Sequence, residues 1–312
     1  MAYWCLLIGQ TKFTDAVALL PAILLWIFAS ASVGHFLNDW FDIEIDSKAG
    51  KQNFTGKLSS AQRIMVLCIL LVFLLVPPVF FRSGPAVQLL TFIQLLLFVL
   101  YSHPYFRWKE KLWLGVFADC LYAFVLPVSV IIFYCGVEEK VESVLWIALC
   151  LWLVAAGVRN ILLHQLADVV ADKQTGIITL PVLWGKAFVY KIINRMLLPI
   201  EIISAFIFIK ETNLLSVPVY ASVLLAWLLI KASIMRRELK TEAVWQSTNH
   251  PSFAFLNNFY EQVLPLLFLV QLLEQHPAFV FLFFLHLFLF WKPMMDFMKT
   301  GKGFFRIFLK HE

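Results

Sequence analysis

The feature that most constrains this chain is a series of long apolar runs separated by short polar breaks. The runs lie near residues 16–37, 61–82, 85–102, 112–135, 143–165, 188–209, 214–234, 261–274 and 277–292. Crossing a bilayer takes about 20 apolar residues, and a backbone exposed to lipid must satisfy its own hydrogen bonds, which requires helices. The sequence therefore predicts an all-α fold, a polytopic transmembrane helical bundle of about eight to nine helices around a central cavity with a polar end.

The composition excludes several other classes of protein. Apolar residues make up 61% of the 312 residues and charged residues only 14%, whereas soluble domains are roughly 45–50% apolar and about 25% charged. A soluble enzyme, a disordered chain and a disulfide scaffold are thereby excluded. The net charge of +5 is modest, and the basic residues lie between apolar runs rather than in one patch, so nucleic acid is not an expected partner.

The distribution of positive charge predicts an orientation in the lipid bilayer. Sixteen Lys and Arg residues fall in the loops after the first, third, fifth and seventh runs and in the C-terminal tail, against four in the opposite set of loops. Because cytoplasmic loops carry an excess of Lys and Arg, we expect a multi-pass protein of the cell (inner) membrane with the first set facing the cytoplasm. Residues 1–292 are predicted to form one transmembrane domain, and residues 293–312 a basic amphipathic tail on the membrane surface.

Two acidic clusters close the first and fifth apolar runs. The polar residues of the first are Asn38, Asp39, Asp42 and Asp46. Those of the second are Asn160, His164, Asp168 and Asp172. The four-residue spacing places each set on one face of a helix. The second cluster repeats the aspartate spacing of the first through Gly50 and Gly176, which indicates two related halves, and by the charge distribution both clusters lie on the cytoplasmic side.

The acidic clusters are costly unless they bind a cation. Like charges four residues apart repel, helix C-termini already carry partial negative charge, and ionisable groups near a membrane are expensive. Carboxylate and amide oxygens without thiolates favour Mg²⁺, and its expected ligands are Asn38, Asp39, Asp42, Asp46, Asp168 and Asp172. The alternative, ordinary solvated charge at helix ends, explains one cluster better than two matched clusters on one face.

Cations near the clusters predict an anionic ligand. Arg107 and Lys109 follow the third run, and Lys48, Lys51 and Lys173 lie beside the carboxylates. A diphosphate requires both a metal and positive side chains. For any single one of these residues, the ordinary positive charge of a cytoplasmic loop is an equally good explanation.

Polar residues inside the apolar runs are further candidates. Asp119 lies about two turns inside the fourth run, where an ionisable residue is a functional candidate by default; burial with a hydrogen-bonded partner is the alternative. His35 and His164 each precede an acidic cluster by one turn and are expected to line a pocket or to form a hydrogen bond rather than to bind metal. Arg159 faces away from Asp168 on its helix and is predicted to form a structural ion pair.

Three ordered motifs carry a family resemblance. They read Asn38-Asp39-x-x-Asp42-x-x-x-Asp46, Tyr105-x-x-x-Lys109 and Asp168-x-x-x-Asp172-x-x-x-Gly176-x-x-Thr179-x-Pro181-x-x-x-Gly185. Together they resemble the UbiA superfamily of intramembrane prenyltransferases over roughly residues 16–235. Two features depart from the family pattern. Only Met1–Gly9 precede the first-motif helix, where the family has a complete helix, and Lys51-Gln52-Asn53 stands where an Arg-Pro pair often follows the motif.

The resemblance implies which residues act. In the UbiA superfamily, Mg²⁺ held by both aspartate motifs binds the diphosphate of an isoprenyl donor. Catalytic roles are therefore implied for Asp39, Asp42, Asp46, Asp168, Asp172 and Lys109. The substrate-binding candidates, taken with the charge and pocket arguments above, are Asn38, Tyr105, Arg107, Lys109, Lys48, Lys51, Lys173, His164, Asn160 and Asp119.

The expected reaction is ionisation of an isoprenyl diphosphate and transfer of the prenyl group to an acceptor, aromatic or another small lipophilic molecule. Asp39, Asp46 and Asp119 are alternative acceptors of the released proton, and the sequence does not choose among them. Two other functions stay open at this point. One is an intramembrane terpene cyclase that uses the same ionisation without an acceptor, and the other is a cation-coupled transporter or lipid-binding protein.

Overall fold

The computed structural model describes residues 1–48, 50–80, 84–212, 256–257, 259–292 and 295. Within these residues the chain is largely helical and contains no strand. Six helical segments are long and apolar enough to cross a membrane: Phe13–Phe41, Ser60–Val79, Pro85–Ser102, Leu112–Tyr134, Ser143–Thr175 and Lys186–Glu211. The predicted all-α transmembrane bundle is confirmed.

The helices are numbered here in chain order. They are α1 Ala2–Gly9, α2 Phe13–Phe41, α3 Ile43–Lys48, α4 Ser60–Phe80, α5 Pro85–Ser102, α6 Leu112–Cys120, α7 Leu126–Tyr134, α8 Ser143–Thr175, α9 Leu180–Trp184, α10 Lys186–Ile192, α11 Leu198–Glu211, α12 Leu264–Gln275 and α13 Val280–Leu289. A wide π turn, Leu121–Val125, joins α6 to α7, and a second, Ile193–Leu197, joins α10 to α11. Each of these pairs therefore forms one continuous span.

The first six predicted runs each coincide with one of the six membrane-length segments. The third run matches Pro85–Ser102 at both ends. The helix begins at Pro85 because proline suits the first turn of a helix. The fifth continues to Thr175 and ends at Gly176, whose φ of 77° caps the helix in the left-handed conformation. The second acidic cluster thus lies on α8 itself. The predicted run 214–234 and, apart from Met295, the predicted tail 293–312 lie outside the described residues.

The chain divides into two compact units. One comprises Thr14–Phe208, and the other comprises Tyr3–Phe13 with the described residues from Ile209 onward. In the latter unit, the predicted runs 261–274 and 277–292 correspond to α12 and α13, which have 12 and 10 residues and are shorter than the about 20 residues of a span. They separate at His276, whose backbone is extended and whose side chain accepts a hydrogen bond from the backbone N–H of Ala278 at 3.2 Å.

Glycines allow close helix contacts in the Thr14–Phe208 unit. A Cβ added at Gly34 of α2 would lie 2.8 Å from the ring of Phe98 in α5. A Cβ added at Gly157 of α8 would lie 2.8 Å from the sulfur of Cys120 in α6. Small residues let membrane helices approach in this way. The result is that α2, α5, α6 and α8 pack around a common interior.

A buried ion pair links α8 to α11. Arg159 Nε and Nη2 donate to the two carboxylate oxygens of Glu201 at 2.7 and 2.8 Å, and both side chains are fully buried. Paired geometry of this kind compensates two desolvated charges. The predicted structural role of Arg159 is confirmed.

Candidate active site

A cavity of about 740 Å³ lies within the Thr14–Phe208 unit and is lined by residues of α2, α5, α6, α7 and α8. Its volume is within the range of small-molecule sites, roughly 300–1,000 Å³. The predicted site residues that line it are Asn38, Asp39, Asp42, Asp46, Lys51, Lys109, Asp119, His164, Asp168 and Asp172. Residues of both acidic clusters therefore meet at one cavity.

The first acidic cluster keeps its helical winding although α2 ends at Phe41. The backbone N–H of Asp42 donates to the carbonyl of Asn38 at 3.0 Å, and that of Asp46 donates to the carbonyl of Asp42 at 2.8 Å. These bonds follow the four-residue pattern of an α-helix. They carry the winding from α2 into α3, so that the polar side chains of both helices line the same cavity.

Lys109 contacts the first cluster directly. Its Nζ donates to Asn38 Oδ1 at 3.0 Å and to the carboxylate of Asp42. The turn that carries it, Trp108–Glu110, lies against Gly115 of α6, where an added Cβ would be 2.5 Å from the carbonyl oxygen of Trp108. Burial lowers the pKa of Lys109, and the carboxylate of Asp42 opposes that shift. The fold thus holds a partly desolvated ammonium group against the first cluster.

Asp42 is paired with a second cation. Arg107 Nη2 lies 3.5 Å from Asp42 Oδ1, and Arg107 Nε donates to Glu110 Oε1 at 2.6 Å. Arg107 has a left-handed backbone with φ 42°, at the start of the turn that carries Lys109. Only 9% of Asp42 is exposed. Arg107 does not line the cavity. It affects the cavity indirectly, because its positive charge compensates the desolvated carboxylate of Asp42.

An ion pair connects the two clusters. Lys51 Nζ lies 3.3 Å from Asp168 Oδ1, and His164 Nε2 lies 3.8 Å from the other oxygen of Asp168. Lys51 follows the first cluster in the chain, and Asp168 belongs to the second. This contact brings the loop after α3 to the end of α8 and places a second ammonium group in the lining of the cavity.

Two neutral residues orient the carboxylates. Asn53 donates to Asp46 Oδ2 at 2.8 Å and to the carbonyl oxygen of Asp39 at 2.7 Å. Thr179 donates from its hydroxyl to Asp172 Oδ2 at 2.9 Å. Sequence reasoning assigned neither residue a role, because nothing in the spacing of a short polar loop shows which carboxylate a side chain will reach. Each cluster thus has a hydrogen-bond donor supplied from the following loop.

The chemistry of the lining fits Mg²⁺. Among the described residues, two lysines of the lining, Lys51 and Lys109, accompany a larger set of carboxylates: Asp39, Asp42, Asp46, Glu110, Asp119, Asp168 and Asp172. In the described part of the chain, no three His, Cys, Asp or Glu side chains form a ready-made metal site. Mg²⁺ is usually bound through one or two carboxylates, with water and substrate phosphate completing its shell. The excess of oxygen donors therefore suits a metal that arrives together with a diphosphate.

Farther from the clusters, the lining changes to amide and then apolar groups. Gln94 Nε2 donates to the carbonyl oxygen of Tyr122 at 2.7 Å, and the Tyr122 hydroxyl donates to Asp119. Gln165 precedes Asp168 by almost one turn of α8. The apolar lining includes Trp26, Ile27, Phe98, Ala123, Pro127 and Ile161. Sequence reasoning missed Gln94 and Gln165, although a carboxamide inside an apolar run was a signal that could have identified them.

Several predicted ligand-binding residues lie outside the cavity. Tyr105 is 84% exposed, and Lys48 and Lys173 are exposed as well. Asn160 accepts a hydrogen bond on Oδ1 from the adjacent Arg159 at 3.0 Å. None of these four candidates lines the cavity.

The fold and the cavity define a helical multi-pass membrane protein whose two aspartate clusters meet at one site. The sequence profile of the UbiA prenyltransferase family matches residues 1–259, and the chain belongs to that family. The resemblance carried by the three motifs is confirmed. No curated protein sequence matches the chain.

A solved structure shares this fold. It is that of a UbiA homologue from Archaeoglobus fulgidus bound to DMAPP and Mg²⁺, with a TM-score of 0.57 and 17% sequence identity. The alignment covers 76% of this chain and 82% of that chain. At this identity the likeness concerns the helical architecture.

Proposed function

We propose that the protein ionises an isoprenyl diphosphate with Mg²⁺ and transfers the prenyl group to a lipophilic acceptor, aromatic or another small molecule. The observation that carries this proposal is that both acidic clusters and Lys109 line one cavity with an apolar interior. Membership of the UbiA prenyltransferase family supports it, as does a fold shared with a homologue bound to DMAPP and Mg²⁺.

The acidic clusters are assigned to the metal and the diphosphate. The residues that would hold Mg²⁺ are Asn38, Asp39, Asp42, Asp46, Asp168 and Asp172. When bound, the metal neutralises charge on the diphosphate oxygens. Lys109 and Lys51 contribute positive side chains at the same place, and their contacts with Asp42 and Asp168 hold them there. Fixed charges of this kind stabilise a leaving group as its negative charge develops.

The apolar interior is assigned to the prenyl chain. The carbon–oxygen bond of the donor breaks with its electron pair going to the diphosphate, and the allylic cation forms a new bond to the acceptor. Side chains such as Trp26, Phe98 and Ile161 exclude water, so the acceptor rather than water captures the cation. The proton that the acceptor loses passes to a carboxylate of the lining, for which Asp39, Asp46 and Asp119 remain the candidates.

Diphosphate release tests the proposal. Purified protein is incubated with labelled dimethylallyl, geranyl and farnesyl diphosphates, with and without Mg²⁺, and products are identified by mass. Asp168→Asn should reduce Mg²⁺-dependent release by about 100-fold or more, whereas Asp15→Asn, at an exposed position of α2 that does not line the cavity, should not. Unchanged release in Asp168→Asn contradicts the mechanism. Formation of a cyclic hydrocarbon from the donor alone would instead support a terpene cyclase. Cation-coupled flux without diphosphate release would support a transporter.

The side to which the cavity opens is also part of the proposal. The excess of Lys and Arg in the loops after α3, after α5 and after α8 favours the cytoplasmic face of the cell membrane. A cysteine introduced at the exposed Lys48, in a variant without the native cysteines, should react with a membrane-impermeant thiol reagent in inverted vesicles and not in right-side-out vesicles. The reverse pattern contradicts this orientation.

A further inference from the structure

A lysine and an arginine lie on the outer face of the sixth membrane-length segment. This segment, Lys186–Glu211, comprises α10, the π turn Ile193–Leu197 and α11. Lys191 and Arg195 are four residues apart, or about one helical turn, and therefore share a face. Both side chains are exposed, and neither forms an ion pair with any residue that the structure describes.

The rest of this face is apolar. Phe188 precedes Lys191 by almost one turn and is 43% exposed, and Ile203, about two turns beyond Arg195, is 60% exposed. On a helix that crosses a membrane, such exposed apolar side chains face the lipid. Charged residues within spans usually face the interior of the bundle or a water-filled cavity. Lys191 and Arg195 depart from that rule, because they lie on the side of the helix that meets the lipid.

The depth of the two cations follows from the length of the segment. Its 26 residues form about 39 Å of helix, whereas the hydrocarbon core of a bilayer is about 30 Å thick. Just before its start, the rings of Trp184 and Trp113 lie 6.0 Å apart, as in the aromatic belt of a membrane interface. Lys191 and Arg195 follow the start of the helix by about 8 and 13 Å, and long cationic side chains extend back toward the interface. Their charged groups therefore reach the level of the lipid phosphates.

The two cations and their apolar surroundings fit the chemistry of a phospholipid. One phosphate group can accept hydrogen bonds from an ammonium and a guanidinium group at the same time. The acyl chains below it would contact exposed apolar side chains such as Met196 and Ile200. A zwitterionic headgroup carries its own cation, which is repelled by the lysine and the arginine, whereas an anionic headgroup carries none. The face therefore favours an anionic lipid.

We propose that Lys191 and Arg195 form a binding site for the headgroup of one anionic phospholipid on the outer face of the bundle. Neither residue lines the cavity, so the site is separate from the candidate active site and does not depend on the proposed reaction. In the orientation proposed above, it lies in the cytoplasmic leaflet, whose anionic lipids are attracted to basic residues near the membrane surface.

Lipid binding to the purified full-length protein tests the site. Native mass spectrometry measures the dissociation constants of dioleoyl phosphatidylglycerol and dioleoyl phosphatidylcholine, which share their acyl chains and differ in the charge of the headgroup. One phosphatidylglycerol should bind the wild-type protein about 30-fold more tightly, because each of the two cations contributes about a fivefold preference. Lys191→Gln and Arg195→Gln should each lose about fivefold of it. Arg195→Lys keeps the charge and should retain most of the preference.

A matched control comes from the same helix. Lys186 is an exposed lysine at the start of α10, and it lies about 140° around the helix from Lys191. Lys186→Gln should change the preference for phosphatidylglycerol by less than about twofold, because a single headgroup does not reach both faces. If this variant loses as much as Lys191→Gln does, only general attraction between positive charge and the anionic lipid is involved, and the proposal is overturned.

The wild-type protein alone decides the proposal even if a variant does not fold. Equal affinity for the two lipids overturns the site. Inorganic phosphate, at the phosphate concentration at which phosphatidylglycerol raises the melting temperature, should have no effect because it has no acyl chains; equal stabilisation would indicate an anion site and overturn the lipid site. A dimer of the wild-type protein that dissociates in the Lys191→Gln, Arg195→Gln double variant would show that a second copy covers this face, which also overturns the proposal.

Discussion

Lys51 Nζ lies 3.3 Å from Asp168 Oδ1 and so joins the two acidic clusters, which are more than a hundred residues apart in the chain. Both side chains are partly exposed, 47% and 32%. Exposed ion pairs contribute little to stability, typically about 0–1 kcal/mol. The contact therefore matters more for the charge that it places at the cavity than for the stability of the fold.

The first prediction follows from that placement. Lys51→Met should reduce the kcat/KM for an isoprenyl diphosphate by about tenfold, because a charge-assisted contact to phosphate is lost, and should leave the melting temperature within about 2 °C of the wild-type value. Lys186→Met, an exposed lysine outside the cavity, is the control for the loss of one positive charge. Equal effects of both substitutions would show that only general electrostatic attraction is involved.

Substitutions at Lys109 and Asp42 should affect the stability of the fold and the enzymatic activity differently. Lys109→Met leaves Asp42 without one of its two cations, and because Asp42 is only 9% exposed, the melting temperature should fall. Adding Asp42→Asn removes the carboxylate whose charge is then only partly compensated by Arg107, so the double variant should recover part of the lost melting temperature. Mg²⁺-dependent diphosphate release should stay low in both variants. Recovery of release in the double variant would contradict the assigned roles of these residues.

Gly115 should control the position of Lys109. In Gly115→Ala the new Cβ would lie 2.5 Å from the carbonyl oxygen of Trp108 and 2.9 Å from the Cα of Lys109. Backbone atoms must shift to relieve that contact, so diphosphate release should fall by about tenfold as the ammonium group moves from its partners. Gly84→Ala is the control, since its Cβ would meet nothing within 4 Å. Wild-type release in Gly115→Ala would mean that the position of this turn is unimportant.

Asn53 is a positioning residue, and its effect should appear in the metal dependence. Asn53→Ala removes the donor to Asp46, and Thr179→Val removes the donor to Asp172. Loss of such supporting hydrogen bonds typically weakens metal binding by about 10–100-fold. The Mg²⁺ concentration for half-maximal release should therefore rise in each variant, and excess Mg²⁺ should restore the rate. A lower rate with an unchanged Mg²⁺ requirement would indicate a different role.

The pair of Arg159 and Glu201 should be essential for folding. Glu201→Ala leaves a fully buried guanidinium without its carboxylate, which should lower the free energy of unfolding by about 3–5 kcal/mol. Glu211→Ala is the comparison, because its pair with Lys210 is exposed and should contribute about 0–1 kcal/mol. Thermal melting in detergent measures both. Similar losses in the two variants would contradict the assigned role of burial.

The helical spans could be predicted from the sequence because a bilayer imposes one length and one hydrogen-bonding solution on every crossing. The spacing of the aspartates also indicated a shared face, and the hydrogen bonds from Asp42 to Asn38 and from Asp46 to Asp42 show why the face persists past the end of α2. These features depend on local periodicity. Predicting these features therefore requires no knowledge of which helices are neighbours.

The partners of the site residues could not be predicted in the same way. Tyr105 and Lys109 are four residues apart, yet Tyr105 is 84% exposed and the Lys109 side chain is only 13% exposed, because a left-handed backbone at Arg107 intervenes. Similarly, Asn53 and Asp46 meet through the conformation of a short loop. Loop conformations of this kind depend on tertiary contacts that no sequence period encodes.

The π turn between α6 and α7 determines which residues of that span face the cavity. Asp119, Tyr122, Ala123 and Pro127 all line the cavity across this turn. A π turn accommodates one residue more than an ordinary helical turn. If these residues wound as a regular α-helix with no residue removed, Asp119 would rotate by about 100° relative to Pro127. The span would then keep its length for the bilayer, but its polar half and its apolar half would no longer share one wall.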